Sequence, residues 1–211
     1  MNALFHAGAG IAIGGLALGS GATPGELAVC AVAGTAPDWD AVLLAVHKPR
    51  YREYHRTLTH GFIGLIACGL IAAAVLSLFG WGFWHAAFLW LIASLGHTVS
   101  DLFNRSGVAL FSPIHWERVR FPAVSWADGP LTAGAVVLAA WVILLPATGR
   151  IASLAGLAGY AAYLMHRLRD PRLSDSVSRW WFGKLHGPPD GSGGNTVPVL
   201  HKPAEDQGVN G

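Results

Sequence analysis

Charge is scarce in this 211-residue chain: Asp, Glu, Lys and Arg together supply 12% of it, against roughly 25% in a typical soluble domain. With 53% hydrophobic residues and a mean hydropathy of +0.44, that deficit excludes a simple water-soluble globule. No sign of charge dominates either. A net charge of +2 gives no electrostatic footprint for nucleic acid. Cysteine is equally sparse. Cys30 and Cys68 both lie in apolar runs and form no CxxC pair, which excludes a zinc ribbon or dithiol redox motif and leaves small buried hydrophobes. HExxH, GxSxG and Walker A patterns are missing too, and with them the common protease, esterase and nucleotide-hydrolase signatures. No Lys or Arg precedes the first apolar stretch, as one would in a cleaved secretory signal. That stretch is therefore expected to be retained, and His6 with it.

What the chain does have is long charge-free runs, at 1–25, 57–100, 130–149 and, broken only by Arg167, 151–168. A transmembrane helix needs about 20 apolar residues. These runs predict one all-α, polytopic membrane helical bundle of about five or six helices over residues 1–170. An interfacial helix at 171–186 would use Trp180, Trp181 and Phe182, and a Gly/Pro-rich tail at 187–211 is expected to be disordered.

Within the bundle, Gly10/Gly14 and Gly15/Gly19 give the first helix a small-xxx-small face for close packing. Thr23-Pro24-Gly25-Glu26 reads as a capping box that starts a second helix, which runs to Pro37, where it breaks or restarts. Spans at 61–79 and 84–101 meet at Gly80-Trp81-Gly82, and a last hairpin turns at Gly149-Arg150. Thr57 or Thr59 is expected to cap the span that follows them. Arginine placement puts the loops at 47–59 and 102–128 and the tail after 166 in the cytoplasm, with the turns at 80 and 149 outside.

Ionisable groups at the ends of apolar helices are costly facing lipid, so they mark function or internal pairing. Ser94, His97, Asp101 and Asn104 fall on one helical stripe, and His97 and Asp101 at i and i+4 can bind one metal; a His–Asp hydrogen bond holding helices together is the plain alternative. Asp38 and Asp40 flank Trp39 and can bridge a cation, or simply cap a turn. In the segment 55–60, His60 is expected to point into the bundle, while Arg56 can hold an anion such as phosphate; a headgroup-binding basic loop is the competing reading. His6, taken singly, reads as a core histidine. The topology nonetheless places His6, Asp38, Asp40, His55, His60, His97 and Asp101 at one membrane face. Imidazoles with carboxylates are the ligand mixture of hydrolytic metal sites.

The segments PDWD, HRTLTH and GHTVSDLFNRSGVALFSP, with an early histidine, resemble the YdjM family of bacterial inner-membrane proteins, described as predicted membrane-bound metal-dependent hydrolases. The resemblance spans roughly residues 1–166. It implies functional roles for His6, Asp38, Asp40, His55, Arg56, Thr59, His60, His97 and Asp101. Where the family pattern has a serine after the second histidine, this chain has Gly61. By analogy, the order His, Asp, His, HxxxD is also similar to the ligand order of the all-helical zinc-dependent phospholipase C fold, which suggests a multinuclear zinc site acting on phosphoesters, and for that fold's later ligands His115, Glu117 and Asp128 are loose candidates. Asp128 reads more simply as an N-cap.

The expectation is therefore a multi-pass protein of the bacterial inner membrane with a cytoplasmic-side site. His6, Asp38, Asp40, His60, His97 and Asp101 would hold a divalent metal, zinc first, with manganese or magnesium as alternatives. Asp38 or His55 would transfer protons and Arg56 would stabilise an anionic transition state. The substrate would be a phosphoester or lipid-like molecule drawn from membrane lipids or small molecules, with no nucleic-acid partner. The competing expectation is a non-catalytic scaffold or stress-response protein with a structural His/Asp cluster. A His/Asp ion relay of a transporter ranks last, because residues 61–79 and 84–93 offer little polar path beyond Ser77 and His85.

Overall fold

The computed structural model describes residues 1–42, 46–47, 54–121, 123–125 and 127–169. The expected interfacial helix and tail, and the basic stretch 48–53, lie outside them. Six α-helices run through the described residues: α1 (Ala3–Leu18), α2 (Pro24–Thr35), α3 (Phe62–Ser77), α4 (Phe83–Leu102), α5 (Gly129–Leu144) and α6 (Gly149–Arg169). Three short 3-10 turns, Gly19–Gly21, Ala36–Ala41 and Pro146–Thr148, join or extend them. Among the described residues β-structure is limited to two isolated bridges in the connection after α4, so the described fold is all-helical.

Local chemistry explains most boundaries. Asn2 caps α1 by accepting from the Phe5 amide, and Thr23 and Glu26 form the anticipated capping box of α2. Asp128 caps α5 through the Leu131 amide, so the simpler reading of that residue holds. The cap of α3 differs from expectation. Gly61, not a threonine, occupies the position, because Thr57 is turned back onto the Tyr54 carbonyl and Thr59 is engaged elsewhere. The second helix breaks and restarts around Pro37 as expected: α2 ends at Thr35 and the 3-10 turn Ala36–Ala41 follows with Pro37 in its first turn.

Helix α1 is the hub, packed against α2, α4, α5 and α6, while α2 and α3 each pack on α4 and α5 packs on α6. Its glycines permit this. A Cβ at Gly14 would stand 2.8 Å from Cys30 Sγ, one at Gly8 would stand 2.7 Å from the Ala135 carbonyl oxygen, and one at Gly10 would collide with the Cys30 carbonyl. The C-terminus of α1 turns at Gly19, with a φ of +64°, and its last carbonyls accept from Arg150 at 3.1 and 3.3 Å. Arg150 thus supplies the favourable charge that the helix end lacks internally.

Among the described residues, one helix, Ala3–Gly21, is by length and hydropathy sufficient to cross a membrane. The run Gly129–Leu144 plus Pro146–Arg169 passes the same test only when taken together, across a bend of 114°. The expected spans at 61–79 and 84–101 fall short individually: α3 is apolar but 16 residues long, and α4 carries His85, Ser94, His97, Thr98, Ser100 and Asp101.

Candidate metal centre

Four chain segments meet at one end of this bundle. The start of α1 brings His6, the turn after α2 brings Asp38 and Asp40, the turn before α3 brings His55, Arg56, Thr59 and His60, and the last turns of α4 bring His97 and Asp101. Side chains of His6, His60, His97 and Asp101 are fully enclosed, whereas that of Asp38 is 25% exposed.

The protonation of the two central imidazoles follows from their partners. His97 Nδ1 lies 2.7 Å from the Gly34 carbonyl oxygen, which only accepts, so Nδ1 carries the proton and Nε2 bears a lone pair. Thr59 Oγ1 donates to Asp40 Oδ2 at 3.0 Å and sits 3.0 Å from His60 Nδ1. The hydroxyl has one proton and has given it to Asp40, so it accepts from His60 Nδ1–H. Burial, partly opposed by Asp38, pushes His60 down to about 4, which keeps it neutral near pH 7. Both Nε2 lone pairs then face each other 3.1 Å apart.

Carboxylate oxygens complete the cluster. Asp38 Oδ1 stands 3.3 Å from His60 Nε2 and 3.6 Å from His97 Nε2, and Asp101 Oδ2 stands 3.8 Å from each. A tetrahedral cation with bonds of about 2.0–2.2 Å separates its ligand atoms by about 3.3–3.6 Å. The separations of 3.1–3.8 Å bracket that spacing, and the repulsion among these lone pairs, relieved by the Arg56 guanidinium only at Asp101 Oδ2, favours a cation between them. The chemistry of the donor set therefore fits a metal, and this His/Asp cluster can hold one ion. The Gly34 carbonyl and the Thr59–Asp40 pair are the outer partners that fix histidine ligands at metal sites.

The remaining expected residues divide by position. Asp40 takes His55 Nδ1 at 3.0 and 3.2 Å on its two oxygens and forms with Asp38 and His55 a second group close enough to hold a cation. His6 stacks on His97 with ring centroids 3.6 Å apart, but its Nε2 addresses the other oxygen of Asp101, Oδ1, at 3.5 Å. The structure thus brings His6 to the pocket and leaves it outside both groups. The α-amino group of Met1 also rests on Asp101 Oδ1. Arg56, with φ at +63° and 6% exposed, reaches Asp101 Oδ2 at 3.2 Å, while its Nε and Nη1 are buried without hydrogen-bond partners.

The loose candidates His115 and Glu117 lie on the exposed part of the connection between α4 and α5, and Asp128 is engaged by Tyr163 and Arg167. Gly34 escapes sequence reasoning because its contribution is a backbone carbonyl. The only hint is smallness: a Cβ there would collide with the His6 carbonyl. Thr98, whose hydroxyl donates to the His60 carbonyl at 3.3 Å, was visible only as a polar residue on α4.

An all-helical fold with imidazoles and carboxylates enclosed at one end defines a helical protein with a candidate cation site. More particularly, the chain belongs to the YdjM inner membrane protein family, whose model matches residues 1–172. No curated protein and no solved structure matches it.

Proposed function

We propose that this chain is a multi-pass, membrane-bound, metal-dependent hydrolase acting on phosphoester or lipid-like substrates at the cytoplasmic face. One observation carries the reading: the facing Nε2 atoms of His60 and His97, both with their Nδ1 protons committed outward. A divalent cation held there, zinc first by this ligand mixture, would polarise an ester and acidify water. The chain's own groups supply the rest. Arg56 offers two buried, unpartnered N–H donors beside Asp101, an arrangement suited to an anionic phosphoryl group. His55, with its ring against Asp40, is placed to accept a proton from water and return it to the leaving alcohol.

Membership in an inner-membrane family and the apolar outer face of α3, where Ile63, Ile66, Ile71 and Val75 are exposed, support a multi-pass arrangement. Arg105, Arg118 and Arg120 lie in the connection after α4, at the same end as the cluster, which supports a cytoplasmic site.

Metal analysis of chelator-free protein, with hydrolysis of a chromogenic phosphodiester, tests the proposal. Bound metal and turnover are expected, both lost in His97→Ala plus Asp101→Ala. Fewer than one ion per chain, unchanged in that variant, would refute it. A second reading has its own support. Four protein atoms already fill a tetrahedron, as in structural rather than catalytic sites, which fits a scaffold. That reading predicts bound metal, loss of stability in the same variant, and no metal-dependent turnover.

A further inference from the structure

The closed tetrahedron poses a problem that the neighbouring residues answer. Hydrolysis needs a coordination position open to water, yet His60, His97 and Asp101 are fully enclosed. The geometry points to a two-cation centre, in which Asp38 bridges the enclosed ion to a second, solvent-facing ion held by Asp40 and His55. This rests on the hydrolase reading above, assigns its open position, and gives His55 a ligand role in place of the proton-transfer role it has there.

Three observations support the second site. First, one ligand atom each from Asp38, Asp40 and His55 lies within 4.8 Å of the others, and Asp38 belongs equally to the enclosed group. A carboxylate has two oxygens, and two-cation hydrolytic centres hold their ions about 3.5–4 Å apart, a span one carboxylate covers. Second, Asp40 is divided between duties. Its Oδ2 accepts from Thr59, the hydroxyl that orients His60, while Oδ1 faces His55 Nδ1 at 3.0 Å, so the second ion would take the place of the proton that this oxygen and nitrogen share. Third, exposure differs in the sense required at two of the three ligands: the His55 side chain is 20% exposed and Asp38 25%, with Asp40 at 5%, against 0% for Asp101. Three protein ligands leave a borderline or hard cation with positions for water and an anionic ester. The enclosed ion then serves mainly to fix Asp38, and the outer ion exchanges with solvent.

The test uses the full chain in detergent and Mn²⁺ alone, counted by metal analysis and observed by electron paramagnetic resonance. Wild-type protein is expected to bind two ions per chain, one tighter than the other, with an exchange-coupled spectrum at saturation. Asp40→Asn plus His55→Gln is expected to lose the weaker ion and give the uncoupled spectrum of a single Mn²⁺. Wild-type saturation at one ion, lost in His97→Gln but retained in the Asp40/His55 variant, would overturn the second site and leave the hydrolase reading standing. No bound ion at all would overturn both. The wild-type stoichiometry and spectrum decide the matter even where a variant does not fold.

Discussion

Replacing Thr59 by valine removes one hydroxyl and keeps the shape of the side chain. In the wild type that hydroxyl accepts from His60 Nδ1 and donates to Asp40 Oδ2, both at 3.0 Å. Valine leaves the His60 Nδ1–H without a partner, while Asp40 Oδ2 keeps His55 Nδ1 at 3.2 Å; an orphaned donor costs about 1–3 kcal/mol when buried. The Thr59 bonds are only part-buried, so water replaces some of the loss and the lower part of that range, about 1–2 kcal/mol, applies; that corresponds to a factor of roughly 5–30. An independent route gives a similar figure, because losing the outer partner of a metal-bound histidine typically costs about 10–100-fold in affinity. The expected result is a drop of about tenfold in Zn²⁺ affinity, measured by competition with a chromophoric chelator, with restoration in Thr59→Ser. Binding by Thr59→Val within twofold of wild type would refute the assignment of His60 Nδ1 as the protonated nitrogen.

Other outcomes follow from packing and charge. Asp128→Ala strips a nearly buried Arg167 of its carboxylate partner and uncaps α5, and should lower stability by about 3 kcal/mol or more in thermal melts while metal content stays at the wild-type value. Gly8→Ala sets a Cβ 2.7 Å from the Ala135 carbonyl oxygen and should cost about 1–3 kcal/mol, whereas Gly21→Ala meets nothing within 4 Å and should leave the melting temperature unchanged or slightly raised. With Cys30 and Cys68 replaced by alanine, Ile114→Cys should react with an impermeant maleimide from the cytoplasmic side and Trp84→Cys from the opposite side; both positions are more than 70% exposed. The reverse pattern would invert the orientation.

Much of this was legible in one dimension. Helical spacing put His97 and Asp101 on a single stripe, and the capping box at Thr23 and Glu26 announced α2 correctly. The gathering of His60, Asp38 and Asp101 was readable from helix order alone, because apolar runs that reverse direction bring alternate ends together. What stayed hidden depends on atoms rather than residue types. Spacing cannot reveal that His97 leans on a main-chain oxygen of Gly34, or that His6 meets one oxygen of Asp101 and Arg56 the other. Nor does an arginine look different when its backbone adopts a left-handed conformation, as Arg56 does. One expected span goes unmarked for a related reason: the polar stripe that builds the site in α4 also removes the hydropathy that would mark the helix as a crossing segment.

The tether between His97 and the carbonyl of Gly34 has a consequence for how the centre tolerates genetic drift. Every residue type offers that same oxygen, so no substitution deletes the acceptor. Change at position 34 acts solely through bulk, by prying α2 away from α1 and dragging the anchor with it. The orientation of one imidazole is thereby written into the separation of two helix axes, and whatever squeezes or loosens that pair re-aims the nitrogen that faces His60.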